Sequence, residues 1–216
     1  YYMIEMYSGR LTGGSRRYRK DFSQIAGALH ATGGDTVYLD STREVDTTIA
    51  VMGQVNAGKS SLINALMKDE VAETSMLPET REVQRIKYPV PGSNKTVVLL
   101  DTPGYSEAGV TKRQQNEIKT ASESADILLL VMAANNSARD PDVQVVRELQ
   151  QHYESRQHLR SPPIIAVLTH IDRLRPLREW SPPYDWRKPD SAKEKSIAAA
   201  VDYLRELFGD SIAGYA

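Results

Sequence analysis

Eight consecutive residues, Gly53 to Ser60 (GQVNAGKS), restrict the fold more than any other part of the chain. They fit the phosphate-loop pattern of Gly, four residues, Gly, Lys and Ser, which requires a strand in front and a helix behind. Both are expected here. Thr47 to Met52 is an apolar, β-branched run suited to a buried strand, and Ser61 to Met67 (SLINALM) has helical character. In that geometry the backbone N–H groups of Val55 to Ser60 face a phosphate at the positive end of a helix. Lys59 is then expected to bridge β and γ oxygens, and the Ser60 hydroxyl to ligate Mg²⁺.

The next stretch with chemistry is Asp101-Thr102-Pro103-Gly104. It ends the apolar run Thr96 to Leu100, which pairs in expectation with Val83 to Tyr88 around the turn Pro91-Gly92-Ser93-Asn94. An Asp at the carboxyl end of a buried strand can hold Mg²⁺ through water, and the Gly104 N–H can reach a γ-phosphate. Between the two motifs lies Thr80-Arg81-Glu82, after a weakly periodic stretch from Lys68 to Pro78. Thr80 suits a nucleotide switch, in which a Thr closes over Mg²⁺ and the γ-phosphate and releases on hydrolysis. Thr74 is the weaker candidate, and a plain turn Thr after Pro78 is the alternative.

Further along, Thr111 to Ser124 is polar and helix-compatible and occupies the place of a mobile second switch. Asp126 to Ala133 (DILLLVMA) reads as a buried strand, and Pro141 to Tyr153 as a helix with Asp140 as its N-cap. Pro163 to Leu168 (PIIAVL) is the next strand and ends in Thr169-His170-Ile171-Asp172. Strands alternating with helices predict an α/β, doubly wound, mostly parallel sheet with one antiparallel hairpin strand. All the motifs fall at carboxyl ends of strands, where such sheets bind ligands.

Composition narrows the partners. At 216 residues and 40 % hydrophobic, there is room for one substantial core and a little more. We expect residues 1–46 to be an N-terminal extension and 47–216 the nucleotide-binding domain. The extension holds the basic cluster Arg16, Arg17, Arg19 and Lys20 before a helical stretch, Asp21 to Ala31, and a short extended piece, Val37 to Leu39. A formal net charge of −1 gives no general attraction to nucleic acid, and no specific nucleic-acid partner is expected. The absence of cysteine excludes disulfides and thiolate metal sites and suits a reducing, cytoplasmic setting. The four histidines lack metal-ligand spacing, and the longest apolar run, Ile127 to Ala134, is too short to span a bilayer.

Taken together, GQVNAGKSSLINAL, Thr80-Arg81-Glu82, DTPG and THID resemble the ordered motifs of Era-like, translation-factor-class P-loop GTPases, over roughly residues 47 to 209. LTHIDRLRP and the following EWSPPYDW resemble bacterial GTPases of this group that lie beside membrane-anchoring segments. The resemblance implies a GTPase domain hydrolysing GTP to GDP as a Mg²⁺-dependent switch. It implies phosphate binding by Asn56, Ala57, Gly58, Lys59, Ser60 and Ser61, and Mg²⁺ on Ser60 and Thr80 with Asp101 behind. Thr169, His170 and Asp172 would form the base site, Asp172 accepting from guanine N1–H and N2. Expected partners are GTP or GDP, a protein effector, a second copy in a nucleotide-dependent dimer, and a membrane reached through segments outside this chain.

Three departures from the family pattern bear on mechanism. Thr169 and His170 replace the usual Asn-Lys before the base-reading Asp; Thr can tie the motif to the phosphate loop, and His can stack on the base. Tyr105 follows DTPG where Ras-like enzymes place a water-orienting Gln. In relatives with Asn at the Asn56 position that Asn helps hold K⁺, so Asn56, Lys59 and Thr80 are the expected catalytic residues. Finally, Ser191-Ala192-Lys193 imitates the fifth motif, but Ser191 with Glu194 reads as a helix capping box, followed by the apolar face Ile197, Val201, Leu204 and Phe208. The last strand is expected only after Gly209, so the domain is expected to lack all or part of it and to stop before the fifth motif. With Tyr1-Tyr2 at the start, the chain is expected to be a piece of a longer protein. The competing functional expectations are a nucleotide-binding regulatory or membrane-associated interaction module with little hydrolysis, and an ATPase on the same fold, which Asp172 opposes. Segment 173–189, with both tryptophans, is either a docking or lid element or a packed surface loop.

Overall fold

The computed structural model describes residues 47–67, 83–90, 95–106, 108–156 and 158–216. The expectations for the N-terminal extension, for the stretch containing Thr74 and Thr80, and for the turn at 91–94 lie outside these residues. By compactness the chain divides into two units, one of Thr48–Tyr88 with Val97–Ala216, the other of Tyr1–Thr47 with Pro89–Thr96. In the second unit the described residues include Val90 and Lys95, joined by a backbone hydrogen bond from Val90 N to Lys95 O of 2.9 Å.

Six strands form one sheet in the order β2-β3-β1-β4-β5-β6. They are β1 (Thr47–Gly53), β2 (Gln84–Pro89), β3 (Thr96–Asp101), β4 (Ile127–Ala133), β5 (Ile164–Thr169) and β6 (Gly214–Tyr215). Among the described residues the α-helices are α1 (Lys59–Met67), α2 (Lys112–Ser124), α3 (Asp140–Glu154) and α4 (Ala192–Phe208). β1 with β4, β4 with β5, and β5 with β6 pair in parallel, in the registers Gly53 opposite Val131, Ala133 opposite Thr169, and Ile165 opposite Gly214. The final strand expected after Gly209 is thus the two-residue β6.

The central strands are buried on both faces, which is why they read as unbroken apolar runs. Ala50, Met52, Leu128, Leu130 and Met132 share one core with Ile118 of α2, Val145 and Leu149 of α3, and Leu204 and Phe208 of α4. The alternate residues Ile49, Val51, Leu129 and Val131 are buried as well. At β1's end Gly53 passes so close to β4 that a Cβ there would meet the Val131 carbonyl oxygen at 2.2 Å. Its φ of +152° also disfavours any side chain.

Helix starts follow two different rules. Thr111 caps α2 through a capping box with Gln114, and Ser191 caps α4 through one with Glu194, as its spacing predicts. α3 departs from expectation: its N-cap is Arg139, without a side-chain cap bond, and Asp140 is the first helical residue. The reason is that the chain ahead of α3 is held from inside. Arg139 is buried and donates to the Ala133 carbonyl and to Asp142, so its backbone takes the cap position.

Two outcomes follow for stability. Gly53→Ala forces the first loop residue away from β4 and is expected to cost about 2–4 kcal/mol, read as a lower melting temperature. Glu194 accepts N–H bonds from Ser191, Asp190 and Asp185, which hold its carboxyl at about 2 against the ordinary 4.5. The stability it contributes is present above the ordinary value and is lost as pH falls through about 2. The melting-temperature gap between wild type and Glu194→Gln should therefore close as pH is lowered through that window.

Candidate functional site

The phosphate loop leaves β1 at Gly53 and enters α1 at Lys59. Asn56 takes the left-handed conformation (φ 60°), which turns the loop back toward α1, and its side chain lies in an exposed residue. The Lys59 ammonium is buried and donates to two carbonyls of its own loop, Gly53 O at 3.1 Å and Gln54 O at 2.9 Å. An ammonium has three donors, so two fix the side chain and one remains for a ligand oxygen. Burial pushes the Lys59 pKa below its ordinary value, and the Asp101 and Asp142 carboxylates partly offset this. An anionic ligand against the ammonium would restore the preference for charge.

The second wall comes from β3. Asp101 at its end is fully buried, and Thr102 Oγ1 donates to Val51 O at 2.9 Å while Thr102 N donates to the same carbonyl. Gly104 passes close to the loop: a Cβ there would lie 2.8 Å from Lys59 Nζ and 3.0 Å from the Val55 backbone. Only glycine permits that approach. Val55 N donates to Tyr105 O at 2.8 Å, which ties the residue after DTPG to the phosphate loop.

Ser60, at the first turn of α1, is half-buried, and Ser61 is exposed. A hydroxyl at a helix start and a carboxylate at a strand end make a hard oxygen donor set. That suits Mg²⁺, which keeps waters and phosphate oxygens and takes few protein ligands. No cluster of three or more His, Cys, Asp or Glu side chains that could hold a metal occurs among the described residues. Thr80, the other expected metal ligand, lies outside them.

The segment Thr169 to Asp172, the expected base site, is joined to the same loop. Thr169 Oγ1 donates to Ala57 O, and Gly58 lies against the Thr169 side chain. His170 is left-handed (φ 53°), with its Nε2 3.2 Å from Asn56 O, and Asp172 sits exposed on the 3-10 turn Ile171–Arg173. The fold thus gathers Asn56, Ala57, Gly58, Lys59, Asp101, Gly104, Thr169 and His170 around one loop. A cavity of about 310 Å³ opens beside it, with Asn56, Asn136, Arg139 and His170 among its walls.

Sequence reasoning missed the polar cluster under the loop. Tyr105 is fully buried, and its hydroxyl donates to Asp142 Oδ1 at 2.7 Å. Gln54 Nε2 donates to Asp142 Oδ2 at 2.8 Å and to Ala138 O at 2.6 Å, and Asn136 Nδ2 donates to Gln54 Oε1 at 3.2 Å. Burial raises the Asp142 pKa, against the lowering effect of its donors Tyr105, Gln54 and Arg139, and burial together with the Asp142 charge raises that of Tyr105 well above its ordinary value. In the sequence, Asp140-Pro141-Asp142 looks like acidic dressing of a helix start. Nothing local marks Asp142 as the one that turns inward.

The sequence profile of the 50S ribosome-binding GTPases matches residues 48–170. The chain is 34 % identical over 128 residues to GTPase Der of Helicobacter hepaticus, which is 58 % of this chain and 24 % of that protein. It is 34 % identical over 95 residues to GTPase Era of Campylobacter jejuni subsp. doylei, 43 % of this chain and 32 % of that one. The crystal structure of Era with MgGDPNP and a piece of 16S ribosomal RNA shares the fold, with a TM-score of 0.51 at 22 % identity over 78 % of this chain and 49 % of that one. The chain therefore spans a quarter to a third of these two curated relatives. With the profile covering more than half of its residues, it belongs to the family of 50S ribosome-binding GTPases.

Proposed function

We propose that this domain binds GTP with Mg²⁺ and hydrolyses it slowly to GDP and phosphate, as a switch read by a protein effector in the cytoplasm. The observation that carries this reading is the single loop, Gly53 to Ser60, which its own Lys59 braces and to which two separate pieces of chain attach. Lys59 folds back on it, Gly104 and Tyr105 press on it from β3, and Thr169 bonds to it from β5. A triphosphate on that loop would meet the free Lys59 donor and the backbone N–H groups at the start of α1. Ser60, Asp101 and Thr80 would hold Mg²⁺, which when bound would supply positive charge to the phosphates.

Hydrolysis on this site needs a device other than a Gln after DTPG. The Tyr105 hydroxyl is committed to Asp142 in the interior and does not reach water at the loop. Asn56 occupies the exposed turn of the loop, and we propose it as the residue that holds K⁺ beside the phosphates. The test is GTP turnover with K⁺ or Na⁺ in wild type and Asn56→Ala. Turnover should rise with K⁺ by about tenfold or more in wild type only. Equal rates in the two salts would overturn the K⁺ role. Tighter binding of ATP than of GTP would overturn the guanine reading.

The base assignment has its own check. A carboxylate at position 172 accepts from guanine N1–H and N2, whereas an amide also offers a donor, which matches the extra carbonyl of xanthine. Asp172→Asn is expected to weaken GDP binding about tenfold or more and to strengthen XDP binding, measured by fluorescence titration of the two nucleotides.

A further inference from the structure

Lys193 stands in an unfavourable place. It is the second residue of α4, where the helix dipole opposes a positive charge, and its side chain is fully buried. A Met side chain would fill a similar volume without either penalty. All three ammonium donors nevertheless have acceptors, and each is a backbone carbonyl of the segment after β5: Asp172 O at 3.0 Å, Leu174 O at 2.6 Å and Pro176 O at 3.4 Å. Its neighbour Glu194 takes the backbone N–H groups of Asp185, Asp190 and Ser191 at the far end of the same segment. Two adjacent side chains at the start of α4 thus pin both ends of the loop that carries Asp172.

We propose that Lys193 is a positioning residue for base recognition: by gathering the carbonyls of Asp172, Leu174 and Pro176, it fixes the turn that presents the Asp172 carboxylate to guanine. The proposal rests on the reading of Asp172 as the guanine acceptor. The Asp172 backbone is held at its carbonyl by Lys193, and the turn by the bonds Arg173 N to His170 O and Leu174 N to Ile171 O. Removing the ammonium leaves the Asp172 and Leu174 carbonyls without their donor, whereas Pro176 O still accepts from Glu179 N at 3.4 Å. A carboxylate that reads two N–H groups of a planar base loses selectivity when its position drifts by about 1 Å. Lys193 therefore acts on discrimination between bases, not on the phosphates held at Lys59.

The discriminating measurement is the ratio of Kd for IDP, which lacks the 2-amino group, to Kd for GDP. It is taken on the folded chain for wild type, Lys193→Met, Lys193→Arg and Asp172→Ala, with circular dichroism to confirm folding. Lys193→Met is expected to lower the ratio about tenfold, and Lys193→Arg to recover part of it. An unchanged ratio in folded Lys193→Met overturns the proposal, since a purely structural lysine would lower the melting temperature and leave the ratio alone. If Lys193→Met does not fold, Lys193→Gln decides: a reduced ratio supports the proposal, and the wild-type ratio overturns it. Should Asp172→Ala also keep the wild-type ratio, the guanine reading itself falls and takes the proposal with it. A ratio that collapses only in Asp172→Ala removes Lys193 alone.

Discussion

The parallel pairing of β1, β4 and β5 is the constraint from which the site follows. Because the three strands run the same way in fixed register, Gly53, Ala133 and Thr169 arrive at one edge of the sheet. What leaves that edge is polar by necessity, since the strands behind it are closed by apolar side chains on both faces. The phosphate loop, the end of β3 and the turn after β5 are then neighbours without any long-range device to bring them together.

Under that edge the chain buries an amount of polarity that a plain core would not tolerate. Asp142 offers both carboxylate oxygens to donors from three elements, and each donor belongs to a segment that borders the loop. Breaking one such bond leaves a buried oxygen unmatched at a cost of about 1–3 kcal/mol, comparable with a substantial share of a domain's stability. Both Asp142 oxygens are paired, although the buried Arg139 Nε has no hydrogen-bond partner, and the cluster holds Gln54 and Tyr105 in single positions where apolar packing alone would permit several.

Much of this was legible in the amino-acid order. The strands announced themselves by apolar runs, the loop by GQVNAGKS, and the capping box at Ser191 and Glu194 separated a helix start from an apparent base-binding motif. What was not legible is the destination of polar side chains. Asp140 and Asp142 differ by two positions and are chemically alike, yet one is exposed at the first helical position and the other is buried. Only the tertiary path of Arg139 and Tyr105 decides between them. Lys193 shows the same limit: the capping box placed it in the first turn of a helix, and spacing held no hint that its ammonium turns back to the carbonyl of Asp172.

Tyr105 gives the segment after DTPG an unusual mechanical character. Its carbonyl is held by Val55 and its ring is locked to Asp142, so the residue is anchored from both backbone and side chain. The chain that follows is attached like a lever to a fulcrum. A rearrangement of that chain would turn beyond Tyr105 or would first have to expose a buried phenol.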